Sequence, residues 1–380
     1  MKKYHYIFAG AGLSALMTVY QMVLSGKFKE KKILLLDADS KNNNDRTWCF
    51  WEKPNGDYEH LVYKKWDTAI FSDINYTRDL NLDPYQYKMI QGLDFYQYIF
   101  EAISKEQNIE FSHQKIIRFT EENNGVLVET ETEKIYCDKL FNSILNTQEI
   151  AAQKKYPYLQ QHFIGWKIKS KEAVFNPEKA TFMDFSVAQK GNTRFMYVLP
   201  FSKTEALVEY TLFSKDLLPE KEYENEIQDY FKKLGITDYE QIEKEQGAIP
   251  MSCYPFWKKN TKNIVNIGSA GGWTKASTGY TFKNASKKSK ELVAFLSTRD
   301  DFRKFHKKTK FWFYDLLLLD ILDRKNYLGS QIFSSMFRKG NPALIFKFLD
   351  EETSFIEDIR VISKCPKMPF LQALFRRIWI

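Results

Sequence analysis

Two acidic residues are conspicuous for their surroundings. Asp184 lies in "FMDF" (182–185) and Glu209 in "LVEYT" (207–211), each a lone carboxyl among mostly apolar neighbours. Both stretches read as β-strands, in which successive side chains point to opposite faces of a sheet. An acid facing inward loses hydration, its pKa rises, and it can hold a proton near neutral pH, as a general acid must. An acid facing outward is an ordinary solvated carboxylate. A period of two permits either.

A second set of residues suits an anionic ligand. In "GAGLSA" (10–15), Gly10 permits a tight turn, Gly12 lets a pyrophosphate approach the backbone, and Ala15 lets helix and strand pack closely. Leu13 and Ser14 open the helix, whose N-terminal amides face the phosphates. Asp37 ends the next apolar stretch, "KKILLLDAD" (31–39), placed to hold a ribose hydroxyl.

Far along the chain, "GSAGGWTKASTGYTF" (268–282) has two glycine clusters ahead of a helix. Gly268, Ala270 and Gly271 form the first. Thr278, Gly279 and Tyr280 mark the expected helix start, where backbone amides can meet an anionic group such as a flavin pyrimidine edge. A simple dinucleotide dehydrogenase has no reason to return to its cofactor here, whereas a flavoprotein of the glutathione-reductase type does. A glycine-rich loop without a ligand is the plainer alternative.

The third set is "NDRTWCFWE" (44–52). Arg46 can pair with a phosphate or a carboxylate. Trp48, Phe50 and Trp51 read either as core or as π faces for a cation.

The elements that must position these residues follow from periodicity. Residues 4–9 read as a buried strand, 13–24 as a helix and 31–37 as a second strand, the dinucleotide-binding unit. Helical spacing returns at 92–107, followed by short strands near 109–119, 125–130 and 134–141. From about 160 to 250 apolar and polar residues alternate as in an antiparallel sheet, apart from a helix at 220–235. The last 80 residues read as helical.

Composition sets limits. The 380 residues are 44% hydrophobic and 27% charged, which is globular, and 16% aromatic, which suits a dense core or a pocket for a long apolar ligand. The four cysteines are far apart with no CxxC pair, so no metal site or disulfide framework is expected and a reducing cytoplasm is. No apolar run reaches the roughly 18 residues of a membrane span. The net charge of +8 is uneven: from Arg299 onward there are 16 Lys and Arg against 10 Asp and Glu, beside "FWFYDLLLLDIL" (311–322) and "PFLQALFRRIWI" (369–380). Basic, aromatic helices suit an anionic membrane surface. No nucleic-acid-binding motif accompanies the charge.

Taken together, these residues resemble the FAD-binding lycopene cyclases of bacteria and plants over nearly the whole chain. "GAGLSA", "LLLDAD", "NDRTWCFWE", "FMDF", "YVLPFS", "LVEYT", "GAIPM" and "GSAGGWTKASTGYTF" occur in that family's order. The plant members carry a Phe-Leu-Glu-Glu-Thr motif whose first Glu is implicated as the catalytic acid. "LVEYT" occupies the matching place, so the resemblance gives Glu209 that role, with Tyr210 in place of the second Glu. "FLDEET" (348–353) is similar in letters but lies too late in the chain. Ser269 stands where oxidative flavoproteins commonly have Asp, which weighs against a monooxygenase.

The resemblance implies an α/β fold: a glutathione-reductase-type FAD-binding Rossmann domain, an interleaved antiparallel-sheet substrate domain and a helical C-terminal region. The expected FAD-binding part is 1–75, 92–155 and 250–296. The substrate sheet is 76–91 and 156–249, and the helical region, with membrane contact, is 297–380. The implied reaction closes the open ends of lycopene and related acyclic carotenoids into β-ionone rings with no net electron transfer. Glu209 would protonate the terminal alkene, Asp184 would tune it or take up a proton, and FAD would act reduced, with NAD(P)H as reductant. Arg46 would belong to the flavin side, and Trp48, Phe50 and Trp51 to the flavin or the cation. A monooxygenase, a prenyl-chain reductase and a non-catalytic carotenoid binder are the competing readings.

Overall fold

The computed structural model describes residues 2–122 and 124–378. The N-terminal turn motif is built into a seven-stranded sheet. Strands Ile109–His113, Ile33–Asp37, Lys2–Ala9 and Lys134–Asn142 run parallel in that order. Ile264–Asn266 pairs in parallel with the end of Lys134–Asn142, whose beginning pairs with the antiparallel ribbon Gly125–Thr130 and Ile116–Glu122.

The parallel strands are almost continuously apolar because both faces are covered. Phe8 and Leu35 pack under the helices Leu13–Ser25 and Phe282–Leu296, while Ile7, Ala9, Leu34 and Leu36 pack with Val126, Val128 and Cys137. A buried hydrogen bond between Thr18 Oγ1 and Ser289 Oγ (2.9 Å) joins the two helices.

The second sheet has seven strands in the order Tyr239–Met251, Leu159–Ser170, Glu205–Ser214, Thr193–Pro200, Lys179–Asp184, Thr68–Asp73, Tyr76–Asn81. It is antiparallel except where Lys179–Asp184 meets Thr68–Asp73. Ile164, Val198, Val208 and Tyr210 on one face pack against Tyr223, Ile227 and Phe231 of the helix Glu220–Leu234. Phe195, Leu207 and Phe213 on the other face pack toward Phe333, Met336 and Phe337 of the helix Gly329–Lys339.

A small third sheet, Thr47–Glu52, Gln86–Gln91 and Lys64–Trp66, lies alongside. Two segments therefore fall outside the expected boundaries. Thr68–Asp73 hydrogen-bonds to Tyr76–Asn81 and so belongs to the second sheet, and Gln86–Gln91 pairs with Thr47–Glu52 rather than with the substrate sheet.

The C-terminal region is helical: Lys310–Lys325, Gly329–Lys339, Pro342–Leu349, Phe355–Ile362 and Lys367–Arg377. Trp379 and Ile380, which end the basic, aromatic tail, lie outside the described residues. Among the described residues no helix is long and apolar enough to cross a membrane.

Ion pairs bind this region to the second glycine motif and the helix after it. Buried Lys275 holds both carboxylate oxygens of Asp315 at 3.1 Å and Glu351 at 3.2 Å, and Lys283 pairs with Asp350. The acids of "FLDEET" thus serve as anchors. Removing one partner from a buried ion pair leaves uncompensated charge, a loss of roughly 3–5 kcal/mol. Lys275→Ala is expected to lower the unfolding free energy measured by chemical denaturation by an amount in that range. A change within about 0.5 kcal/mol, as for ordinary surface substitutions, would show that the pair does not fasten the helical region.

Candidate active site

A cavity of about 500 Å³ lies among the three sheets and the C-terminal helices. One end carries the features of an anion cradle. Gly10 has φ +95°, and a Cβ there would meet Ser143 Oγ at 2.2 Å, so glycine is required at the turn. The helix Leu13–Ser25 starts directly after Gly12 with no side-chain cap, leaving the first-turn amides of Leu13 and Ser14 at the cavity lining. A Cβ on Gly12 would meet nothing within 4 Å, so the space beside its backbone is open. Ala15 is fully buried in the helix–sheet contact.

Asp37 braces this turn. One carboxylate oxygen accepts from the Ala11 amide (2.6 Å), the other accepts from the Asp39 amide (2.8 Å), and Lys41 Nζ lies 3.6 Å away. Arg46 lines the cavity and pairs with Asp45 at 3.6 Å.

The second glycine motif forms an adjoining wall. Gly268 sits against Ser14, and with Ser269, Thr278, Gly279 and Tyr280 it lines the cavity. Ala270 and Gly271 lie behind that wall, Gly271 close against the Asn266 carbonyl. The expected helix start near Thr278 is corrected. The amides of Thr278 and Gly279 donate to the Lys275 carbonyl, closing a turn, and the helix begins at Phe282 with Thr281 as N-cap. Thr278 Oγ1 and Gln161 Oε1 are buried at the cavity without a hydrogen-bond partner among the described residues. A ligand with polar ring edges fits such groups, since unpaired buried polar atoms are costly.

The other end carries the acid. Glu209 lies on the cavity face of Glu205–Ser214 and is buried. Burial first, and the neighbouring Glu245 second, push its carboxyl well above the usual range, so it holds its proton. Glu245, on the strand Tyr239–Met251, also lines the cavity and accepts a hydrogen bond from Thr47 Oγ1 (3.0 Å). Sequence reasoning missed Glu245 because "YEQIEKEQ" reads as a polar edge strand with several interchangeable acids. Only the strand register, which sets Gly165 opposite both acids, distinguishes Glu245.

Around the acids stand neutral hydroxyls and rings. Tyr87 OH lies 2.6 Å from Tyr197 OH and 2.9 Å from Tyr280 OH. Burial raises the pKa of all three, and of the Cys49 thiol, so none is ionised near neutrality.

Three expected site residues are elsewhere. Asp184 accepts from Tyr230 OH (2.9 Å), on the helix behind the sheet, and from the Ser186 amide (2.9 Å). A register shift between Thr181 and Met183 places Phe182 and Met183 at the cavity and turns Asp184 away. Phe50 is stacked on Phe282 at 4.4 Å, in the core under the second glycine motif. Trp51 is stacked on Phe346 at 4.8 Å and donates its indole N–H to the Phe346 carbonyl. Of the three aromatics of "NDRTWCFWE", Trp48 alone lines the main cavity, edge-on to Phe95 and Tyr96.

The fold and site together define a FAD-binding fold of the glutathione-reductase type built around an aromatic cavity with a protonated acid. In agreement, the chain superposes over its full length on the full length of a flavoprotein/dehydrogenase from Cytophaga hutchinsonii, with a TM-score of 0.62 at 12% identity. The family model for lycopene cyclase protein matches residues 6–375, and the chain belongs to that family. It is similar to a lycopene beta-cyclase of Pantoea ananas, 24% identical over 98% of this chain and 97% of that one. A lycopene beta-cyclase of Paracoccus sp. is 30% identical over 36% of each chain.

The raised pKa of Glu209 has a consequence for stability. A carboxyl that binds its proton more tightly when folded contributes stability present below its unfolded value, lost as pH rises through the folded one. Glu209→Gln removes that titration. The melting temperature of the variant relative to the parent is expected to rise between about pH 5 and about pH 8. A difference that stays constant with pH would show that Glu209 is not a buried, protonated acid.

Proposed function

We propose that the protein is a lycopene beta-cyclase, an isomerase that closes the acyclic ends of lycopene into β-ionone rings. The observation that carries this reading is Glu209, an acid whose burial and neighbour Glu245 raise its pKa, in an aromatic cavity that also opens onto an anion cradle. The family match and the two lycopene beta-cyclase relatives support it.

Glu209 donates its proton to the terminal double bond of the substrate, leaving a tertiary carbocation. The neighbouring double bond attacks that carbon, a ring C–C bond forms, and the ring proton then lost passes to the Glu209 carboxylate, which restores the acid and leaves a neutral product. Substrate and product are isomers, and no electrons are exchanged. Tyr87, Tyr197 and Tyr280 keep their protons and offer no anion to trap the cation. A π face stabilises a desolvated cation by about 2 kcal/mol. Exclusion of water by Phe333, Met336 and Phe337 protects the cation from capture.

The residues present fit FAD. The amides of Leu13 and Ser14 would hold the pyrophosphate beside Gly12, and Arg46 would add charge on the flavin side. Thr278 and Gln161 would satisfy polar edges, and the amides after Thr281 would face the pyrimidine ring. When bound and reduced, with NAD(P)H as the electron source, the flavin supplies negative charge near the developing cation.

A C40 hydrocarbon must be drawn from a membrane. The last two helices expose Phe355, Ile356, Ile359, Met368, Leu371 and Phe375 beside Arg360, Lys364 and Lys367, which suits peripheral contact with an anionic surface.

Expression in lycopene-accumulating bacteria tests the reading. The expected pigments are isomers of lycopene carrying one or two rings. Glu209→Gln is expected to lose the roughly 10²- to 10⁴-fold contributed by a positioned acid. Oxygenated or hydrogenated pigments, or full activity of the variant, would refute it. Gly12→Val is expected to fold, because its side chain meets open space, yet to lose flavin absorbance on purification. Retained flavin in that variant would place the cofactor elsewhere.

A further inference from the structure

Tyr197, Glu209, Gly165 and Glu245 form a single row across four neighbouring strands. Tyr197 is in register with Glu209, Glu209 with Gly165, and Gly165 with Glu245. Residues in register on adjacent strands point to the same face, so both acids overhang the same glycine. A Cβ on Gly165 would lie 2.6 Å from Glu209 Cγ and 3.2 Å from Glu245 Cγ. Any side chain at 165 would therefore stand between the two carboxyls.

We propose that Glu209 and Glu245 hold a single proton between them across Gly165, with Glu245 acting as the positioning residue that keeps the proton on Glu209. This rests on the cyclase reading of the cavity. Two adjacent carboxyls in a dry site cannot both ionise at low cost. Glu209 is the more buried and keeps the proton. Glu245 is half-buried on the edge strand and accepts from Thr47 Oγ1. The other titratable groups facing the pair are Tyr197, Tyr280 and Cys49, all neutral. Lys41 and Arg46, the basic residues of the cavity lining, are paired with Asp37 and Asp45.

The activity needs protonated Glu209, so it is lost as pH rises through that group's pKa. Burial first, and the neighbouring Glu245 second, place this loss at high pH. Glu245→Gln removes the second carboxyl, and the alkaline loss of kcat is expected to move down by about one pH unit or more. KM for lycopene should change little, and kcat should recover on acidification. Glu245→Asp keeps a carboxyl there and is expected to keep the limb near its parent position. Gly165→Ala, which drives the carboxyls apart, is expected to shift it as Glu245→Gln does. A loss in Glu245→Gln that is equal at every pH would overturn the proposal.

Infrared titration of the flavin-loaded protein separates this inference from the functional reading. The parent is expected to show one protonated-carboxyl band at neutral pH that vanishes in Glu209→Gln and titrates at lower pH in Glu245→Gln. If the band behaves so while lycopene is untouched, the shared proton stands and the cyclase reading falls. A band that titrates identically in parent and Glu245→Gln overturns the shared proton whatever the activity.

Discussion

The constraint on which this structure depends is that a carboxyl group must stay protonated where it is largely shielded from water. Deprived of hydration, an ionised Glu209 would be costly. The sheet meets this by keeping the acid neutral: burial raises its pKa, and a second carboxyl one glycine away raises it further. A neutral acid of this kind is also what alkene protonation requires. The energetic solution to burial and the chemical requirement coincide in one side chain.

The remaining architecture walls that chamber and joins it to the cofactor end. The helical C-terminal region contributes Phe333, Met336 and Phe337 to the cavity wall and is fastened by Lys275 to Asp315 and Glu351, and by Lys283 to Asp350. Lys275 and Lys283 belong to the second glycine motif and the helix after it. The roof over the acid and the wall that would face the flavin are therefore one mechanical unit. Phe50 stacked on Phe282 and Trp51 packed on Tyr280 extend the same bracing from the Arg-Thr-Trp strand.

Much of the Rossmann part was legible in the sequence because its determinants are local. Gly10, Gly12 and Ala15 fix a turn and a close packing within a few residues, and the apolar stretch ending at Asp37 follows directly. The alternation of "EALVEYTLFS" allowed Glu209 two faces, and only tertiary packing decided between them: the helix Glu220–Leu234 covers the face of Val208 and Tyr210, leaving Glu209 toward the cavity. Asp184 misled for a related reason, since a bulge reverses the alternation that its strand would otherwise keep. Glu245 was invisible because its significance depends on register with Gly165, 80 positions earlier. Trp51 and Phe50 found partners in helices far along the chain, which no local pattern encodes.

The most direct measurement is the mass of the cyclised product formed in water and in deuterium oxide by protein equilibrated in each. If Glu209 delivers a solvent-exchangeable proton to the alkene, the product in water is an isomer of lycopene and in deuterium oxide carries one deuterium per ring. A cyclised product without deuterium, or one heavier by oxygen or by two hydrogens in water, would contradict acid-initiated ring closure.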